Sequence, residues 1–198
     1  MKNKIVIIGA GGQGRVCADI ARLMGYAEIL FLDDGAANAA GKINDYPRYL
    51  PDADFFVAIG NGAVRRKIQT MLEESGAAIA TLIHPNATVA ADVIVGKGTV
   101  VMAGAVINPG ASVGSGNIIN TCASVDHDCR VGDYLHIAVG ARICGTVRLE
   151  DDSWIGAGAI VIQNLSVCAG CMIGAGAVVI KTITERGTYV GVPARKVK

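Results

Sequence analysis

A histidine set between two aspartates is the clearest candidate for chemistry in this chain. The segment Asp126-His127-Asp128-Cys129 directly follows the aliphatic residue Val125. A carboxylate beside an imidazole orients the ring and raises its basicity, which is what a general base requires. The pattern therefore predicts that His127 is a catalytic base and that Asp128 is its carboxylate partner.

A second histidine, His136, follows His127 by nine residues. The third and last, His84, precedes Pro85 and is expected to be structural, since a residue before proline is held in an extended conformation. A surface histidine beside aspartate is often merely solvated. Because two of the three histidines lie within ten residues and His127 lies beside carboxylates, we favour the catalytic interpretation of His127.

A six-residue period in the sequence predicts the strands that position these histidines. Every sixth residue from Ile83 to Val179 is aliphatic, seventeen positions in all. Small residues recur two positions before many of them, namely Ala105, Ala111, Ala123, Ala141, Ser153, Ala159 and Ala177. A fixed short period defines a solenoid. The spacing predicts a triangular parallel β-helix in which one branched residue per short strand fills the axis, each coil resting on its neighbours.

Glycines spaced by eighteen residues predict turns that recur once per three-strand coil. The two series are Gly96, Gly114 and Gly132, and Gly140, Gly158 and Gly176. Nine residues is half of such a coil, so His127 and His136 are expected on different sides of one prism. They could share a site more easily if a neighbouring subunit supplied one of them. We therefore predict a homotrimer with sites between chains.

The first eighty residues follow a different pattern, in which strands alternate with helical stretches. Predicted strands cover Lys4–Ile8, Ile29–Leu32, Asp54–Ile59 and Ala78–Ile83, with helices over Arg15–Met24 and Ala63–Glu74. This alternation predicts a parallel, Rossmann-like α/β sheet. The domain organisation is then a Rossmann-like domain over residues 1–82 and a β-helix domain with a C-terminal cap over residues 83–198.

The first predicted strand runs into a glycine motif, Gly9-x-Gly11-x-x-Gly14. Such glycines let a phosphate approach backbone N–H groups at a helix N-terminus. Asp33 and Asp34 end the next strand, where a carboxylate can accept from ribose hydroxyls. Eighty residues supply only one mononucleotide half, which favours a UDP-sugar over NAD. The alternative is a glycine turn needed only for tight strand–helix packing.

Composition narrows the classes of function. The 198 residues carry a net charge of +1, which does not indicate nucleic-acid binding. The apolar run near the start is too short for a signal peptide or a membrane span, so no membrane insertion and a cytoplasmic location with six reduced cysteines are expected. Cys168 and Cys171 fall inside the six-residue register, which favours packing over metal binding or redox chemistry. Arg65-Arg66-Lys67 is expected either near a diphosphate or solvated on a helix.

Six segments together resemble the NeuD/PglD-type sugar acyltransferase family along nearly the whole chain. They are IIGAGGQG, GYAEILFLDD, DFFVAIGN with VRRKI, LIHPNA, IINTCASVDHDCRVGDYLHIAVGA and YVGVPARKVK. The resemblance implies that the β-helix is left-handed, that acetyl-CoA is the co-substrate and that no metal is required. It implies acetyl transfer to the 4-amino group of a UDP-4-amino-4,6-dideoxy-N-acetyl sugar, as in UDP-N,N'-diacetylbacillosamine synthesis for protein or surface glycans.

The resemblance also implies roles for individual residues. His127 would be the general base with Asp128 raising its basicity, where the family often has Glu. The residues that would hold the UDP-sugar are Gly11, Gly12, Gln13, Asp33, Asp34 and Gly60. Those that would contact acetyl-CoA are His136 and the backbone around Ala157 and Ala175. Gln13 stands where close relatives have His, which replaces a charged phosphate contact by a neutral one, and Gly62 stands in place of Asn.

Three other functions stay open at this point. A sugar or sialic-acid O-acetyltransferase would share the two-domain plan. A zinc protein of the γ-carbonic-anhydrase type needs three histidine ligands around each metal, and here His127 and His136 supply only two because His84 is several coils away. A non-catalytic nucleotide sensor would use the β-helix only as a trimerisation stalk.

Overall fold

The N-terminal domain is a parallel sheet with helices, in a computed structural model that describes residues 3–198. The strands are β1 (Lys4–Ile8), β2 (Glu28–Leu32), β3 (Ala53–Val57) and β4 (Ala78–Ile79), in the order β2-β1-β3-β4. The helices are α1 (Gly12–Leu23), α2 (Gly62–Glu74) and a 3-10 helix over Ile43–Tyr49. The predicted Rossmann-like sheet is confirmed. The first two residues of the predicted domain lie outside the described part of the chain.

Alternation along β1 decides what each side of this sheet contacts. Successive side chains of a strand point to opposite faces. Ile5 and Ile7 belong to a buried cluster that includes Ile20 of α1. The same cluster includes Val100 and Ile118 of the β-helix, so α1 is packed between the sheet and the β-helix. The opposite face of the sheet packs under α2, with Val6, Ile8, Phe55 and Leu72 buried together.

The rest of the chain forms three parallel sheets that make the faces of a prism. The face against the N-terminal domain, here called the domain face, contains β5 (Leu82–Ile83), β8 (Val100–Val101), β11 (Ile118–Ile119), β14 (His136–Ile137), β17 (Trp154–Ile155), β20 (Met172–Ile173), β22 (Thr188–Val190) and β23 (Arg195–Lys196). The second face contains β6 (Thr88–Val89), β9 (Val106–Ile107), β12 (Ser124–Val125), β15 (Arg142–Ile143), β18 (Ile160–Val161) and β21 (Val178–Val179). The third face contains β7 (Ile94–Val95), β10 (Ser112–Val113), β13 (Arg130–Val131), β16 (Arg148–Leu149) and β19 (Ser166–Val167).

The predicted six-residue register is the core of this prism. Paired strands match residues eighteen apart, as with Ile119 and Ile137. The aliphatic positions from Val101 to Val179 are buried in one cluster, and the three before them are partly buried against it. The small positions are buried as well, since each lies where the chain turns inward at a corner. One buried aliphatic per strand contributes about 1.5–3 kcal/mol, so the repeat supplies much of the stability.

Two details differ from the sequence prediction. The predicted strand Ala78–Ile83 is two strands, because Ala78–Ile79 pairs with β3 and Leu82–Ile83 pairs with β8. The Gly96 series is required for close approach of coils, since a Cβ on Gly96 would lie 2.6 Å from the Gly114 carbonyl oxygen. The Gly140 series does occupy left-handed turns, with φ near +65° at each position.

The C-terminal end of the chain covers the last coil of the β-helix. There β22 and β23 form an antiparallel pair. Among residues 3–198, no helix combines the length and apolar character that a membrane crossing requires.

Candidate active site

His127 lies on the corner between the second and third faces, in the turn that joins β12 to β13. Its side chain is 59% exposed, and its Nδ1 is 2.8 Å from Asp128 Oδ2. A carboxylate only accepts hydrogen bonds, so Nδ1 carries the proton and Nε2 keeps its lone pair. The hydrogen bond that His127 donates to Asp128 raises the pKa of His127 above its ordinary value. The predicted base and partner are therefore in direct contact with the basic nitrogen free.

Asp126 is a second carboxylate at this corner, and it is held from the preceding coil. Its Oδ1 accepts from Asn108 Nδ2 at 2.7 Å and from the backbone N–H of His127 at 2.8 Å. The bond from Asn108 keeps the pKa of Asp126 low, so this carboxylate stays ionised beside the imidazole. Asn108 thereby fixes the backbone from which His127 projects.

Two glycines in adjacent coils make room for the His127–Asp128 pair. A Cβ on Gly145 would lie 2.5 Å from His127 Nε2, and one on Gly110 would lie 2.5 Å from Asp128 Oδ1. Asp128 itself has φ of 59°, a left-handed conformation that Asp and Asn tolerate better than most residues. Gly145, Gly110 and Asn108 were missed from the sequence, although they lie eighteen residues from His127, Asp128 and Asp126 respectively.

His136 lies in a wholly different environment on the domain face. Its side chain is only 7% exposed, and its ring lies on Trp154 with the centroids 4.1 Å apart. Asn120 Oδ1 accepts from the Thr121 backbone N–H, so the Asn120 amide nitrogen donates to His136 Nε2 at 3.0 Å and the proton sits on Nδ1. Burial, helped by the positive charge of Arg65, lowers the pKa of His136 to about 4. The imidazole is neutral at physiological pH.

The two histidines therefore lie on different faces of the prism, as the nine-residue spacing predicts. His136 Nδ1 is buried, and the nearby Gly60 backbone partly offsets the lowering of its pKa. Contact between His136 and acetyl-CoA stays a prediction. Trp154, which directly precedes the core residue Ile155, is half-buried and lines a groove of about 630 Å³ with Gly60 and Met172.

The glycine motif of the N-terminal domain divides into two roles. A Cβ on Gly14 would lie 2.0 Å from the Gly9 carbonyl oxygen, so Gly14 is required for strand–helix packing. Gly11 and Gly12 are exposed with open space above them, and no side chain caps the N-terminus of α1. Free N–H groups at such an N-terminus form an anion site. Packing therefore explains Gly14, whereas Gly11 and Gly12 are free to bind a ligand.

The other predicted nucleotide residues surround this loop. Asp33 Oδ2 accepts from the Ala10 backbone N–H at 2.9 Å, and this bond contributes most to the lowered pKa of Asp33. Asp34 is exposed, and Gln13 is half-buried with its amide 3.8 Å from Cys17 Sγ. Gly60 lies in the loop that follows β3 of the same sheet. All of them lie at the carboxyl edge of the parallel strands, where nucleotides bind in such sheets.

Ala157 and Ala175 are exposed on the corner between the domain face and the second face. They lie one coil apart, and the Gly176 N–H donates to the Ala157 carbonyl at 2.8 Å. The glycines that follow them, Gly158 and Gly176, have no atom within 4 Å of an added Cβ. This corner therefore presents open backbone along successive coils, which suits an extended ligand.

Other motifs from the sequence are used in packing. Arg65 is fully buried, so the expectation of a diphosphate contact or a solvated face is wrong for this residue. Arg66 is partly exposed and bonds Asp152 at 3.0 Å. Cys168 and Cys171 are free thiols with sulfurs 3.5 Å apart, and burial raises the pKa of Cys171 to about 11. Within residues 3–198 no three His, Cys, Asp or Glu side chains cluster as metal ligands.

A Rossmann-like domain joined to a hexapeptide-repeat β-helix with an exposed His–Asp pair defines a class, the two-domain hexapeptide acyltransferases. Comparison with known proteins agrees. The family profile of the PglD N-terminal domain matches residues 4–72. GDP-perosamine N-acetyltransferase of Escherichia coli O157:H7 is 32% identical over 165 residues, 75% of this chain and 73% of that protein. The chain therefore belongs to the NeuD/PglD-type sugar acyltransferase family.

Two further relatives refine this placement. UDP-N-acetylbacillosamine N-acetyltransferase of Bacillus subtilis (strain 168) is 35% identical over 114 residues, and the match spans 52% of that protein, about half its length. The acetyltransferase domain of PglB from Neisseria gonorrhoeae FA1090, solved in complex with acetyl coenzyme A, superposes with a TM-score of 0.96. It is 40% identical and the match covers 100% of both chains. The left-handed β-helix expected from the resemblance is confirmed.

Proposed function

We propose that this protein is an acetyl-CoA-dependent N-acetyltransferase that acts on an amino sugar linked to a nucleotide. The observation that carries the proposal is the exposed His127, whose Nδ1 is held by Asp128 while Nε2 lies free above Gly145. A base with this geometry suits proton removal from an attacking amine. Support comes from relatives named for N-acetyl transfer to two different nucleotide sugars.

The chemistry follows from the protonation of His127. Acetyl-CoA supplies the acetyl thioester and a thiolate leaving group. The sugar amine attacks the thioester carbonyl while His127 Nε2 takes the amine proton, and Asp128 stabilises the imidazolium that forms. The imidazolium returns that proton to the departing sulfur. Asp126, kept ionised by Asn108, adds a second negative charge that favours the imidazolium.

The nucleotide sugar is assigned to the N-terminal domain. Gly11, Gly12 and Gln13 would receive phosphate oxygens at the N-terminus of α1, where open backbone meets partial positive charge. Asp34, the more exposed of the two carboxylates, and Asp33 would accept from ribose hydroxyls, with Gly60 beside them. Because both Asp33 oxygens already accept backbone N–H groups, Asp34 is the stronger candidate.

The acetyl-CoA site is assigned to the corner of Ala157 and Ala175, with His136 beneath it. This corner and the His127 corner bound opposite edges of the second face. If second faces of neighbouring chains pack together around a threefold axis, the His127 corner of one chain meets the Ala157 corner of the next. The homotrimer therefore belongs to this proposal, and sedimentation equilibrium tests it by giving the mass of three chains.

The particular acceptor we propose is the 4-amino group of a UDP-4-amino-4,6-dideoxy-N-acetyl sugar, in UDP-N,N'-diacetylbacillosamine synthesis. A free-thiol assay with acetyl-CoA tests it against GDP-perosamine and against the 4-hydroxy counterpart of the UDP-sugar. Thiol release with the UDP-amino sugar alone supports the proposal. Release with GDP-perosamine alone would move the acceptor to that sugar, and release with the 4-hydroxy sugar alone would make the protein an O-acetyltransferase.

A further inference from the structure

Arg65, in the first turn of α2, is a buried arginine with every donor used. Its side chain is 0% exposed although it sits on the helix surface facing the β-helix. A guanidinium has five N–H donors in a fixed fork. Nε donates to Gly116 O at 2.6 Å, Nη1 to Ile59 O at 2.7 Å and Gly60 O at 2.9 Å, and Nη2 to Tyr134 O at 3.0 Å and Leu135 O at 3.1 Å.

The five acceptors belong to two separate parts of the molecule. Ile59 and Gly60 are in the loop after β3, and the other three carbonyls come from two coils of the β-helix. The same contact is tight at Gly62, where an added Cβ would lie 2.7 Å from the Tyr134 carbonyl oxygen. The loop that carries Gly60 is thus pressed against the strand that begins at His136.

We propose that Arg65 is a positioning residue that fixes the Ile59–Gly62 loop relative to the coil carrying Tyr134 and Leu135. This inference rests on the proposed function, in which that loop holds the nucleotide sugar. If the sugar is bound by one domain and acetylated at the β-helix, the spacing between the two decides whether the amine reaches the base. A displacement of about 1 Å at a reacting group costs on the order of 10²-fold in rate.

Arginine is the one side chain suited to this role. A lysine keeps the charge but has three donors on a single nitrogen, so it cannot bond carbonyls on both sides of the junction at once. No carboxylate bonds the buried guanidinium among the described residues; the five carbonyl dipoles stabilise its charge. Burial lowers the pKa of Arg65 to about 10, so it remains charged at neutral pH.

The next residue, Arg66, provides a matched control. It bridges the same helix to the β-helix through Asp151 and Asp152, and its guanidinium lies 4.2 Å above the ring centroid of Tyr134. Within the described chain its guanidinium bonds Asp151 and Asp152 and not the Ile59–Gly62 loop, and it is partly exposed. Substituting Arg66 therefore weakens the domain junction without releasing that loop.

The test compares Arg65→Lys with Arg66→Gln in the full chain. For Arg65→Lys we expect kcat to fall about 10- to 100-fold, while the Kd for UDP measured by calorimetry stays within about 3-fold, because the loop is misplaced but intact. Amide hydrogen exchange of residues 59–62 should rise in Arg65→Lys only. Arg66→Gln should lower the melting temperature and leave kcat within about 3-fold.

Gly62→Ala supplies a second, independent variant should Arg65→Lys not fold. Its added Cβ pushes the loop away from Tyr134 and should reproduce the loss in kcat with Arg65 still present. If Arg65→Lys and Arg66→Gln lose kcat equally, and in proportion to their losses in melting temperature, Arg65 only stabilises the fold. That result would overturn the proposal. Failure of the proposed function has another signature, a wild-type protein that acetylates no amino sugar while the difference in loop exchange persists.

Discussion

Two histidines nine residues apart lie in opposite surroundings in this molecule. His127 projects from a corner, bonds a carboxylate and has a raised pKa, whereas His136 is buried under the N-terminal domain with a pKa lowered to about 4. Each environment follows from the position in the coil, since His127 projects from a corner into solvent and His136 faces the N-terminal domain beside Gly60 and Arg65. Proton transfer is therefore available to His127, while His136 is confined to a neutral hydrogen-bonding role near pH 7.

Removing the exposed histidine should have the largest effect. We expect His127→Ala to lower kcat at least ~100-fold, because the corner then lacks the imidazole whose free Nε2 takes the amine proton. The melting temperature and sedimentation should not change, since the side chain is exposed and, within residues 3–198, bonds only Asp128. Steady-state kinetics with acetyl-CoA and the amino sugar measure this, and a variant with unchanged kcat would remove His127 from the mechanism.

Crowding the same imidazole should have the next largest effect. In Gly145→Ala the new Cβ would meet His127 Nε2, which is the far end of a rotatable side chain, so the fold is retained and the ring is displaced. We expect kcat to fall about 10- to 100-fold with little change in KM. Adding Gly145→Ala to His127→Ala should then cause no further loss. An additive loss in the double variant would show that Gly145 acts on something other than the base.

Replacing the Asp128 carboxylate should change how the activity of His127 depends on pH. Asp128 raises the pKa of His127, and the base works only when neutral, so activity should rise with pH through that raised pKa. Asp128→Asn, which tolerates the left-handed backbone at this position, should move the acidic limb of the kcat profile to lower pH. The plateau should also fall roughly 10-fold because the imidazole becomes a weaker base. A limb that moves upward, or not at all, would contradict the assigned role of Asp128.

The sequence predicts one region of this comparison much better than the other. The six-residue period places Val125 on the axis of the β-helix. His127 comes two residues later, in the turn after that strand, where side chains are exposed. The environment of His127 therefore follows from the local pattern. Burial of His136 depends on a second domain packing over that face, with Arg65 and Gly62 distant in the chain. No local spacing encodes such docking. For the same reason the sequence predicts that Arg65 lies near a diphosphate or on a solvated helix face, and not in a buried contact.

Contacts between coils are intermediate in predictability. Asn108 and Gly145 each lie eighteen residues from the residue they support, so the coil length would have found them had it been applied to polar and small residues as well as aliphatic ones. The split of the expected strand Ala78–Ile83 between two domains is of another kind. Both halves are apolar and extended, and only their partners, β3 and β8, distinguish them.

Protonating the buried histidine should have the smallest effect, and it appears in stability. The pKa of His136 is lowered from 6.5 to about 4 in the folded state, so the unfolded chain binds the proton first as pH falls. The stability that neutral His136 contributes is complete above pH 6.5 and is lost progressively as the pH falls towards 4. Between about pH 7.5 and 5.5 the wild type should lose about 1 kcal/mol more than His136→Phe, which keeps a ring against Trp154. Urea unfolding of both proteins at the two pH values measures this difference. The carboxylates are the same in both proteins, so their contribution to the pH dependence cancels in the comparison. Equal losses would mean that His136 is not held neutral by the docked domain.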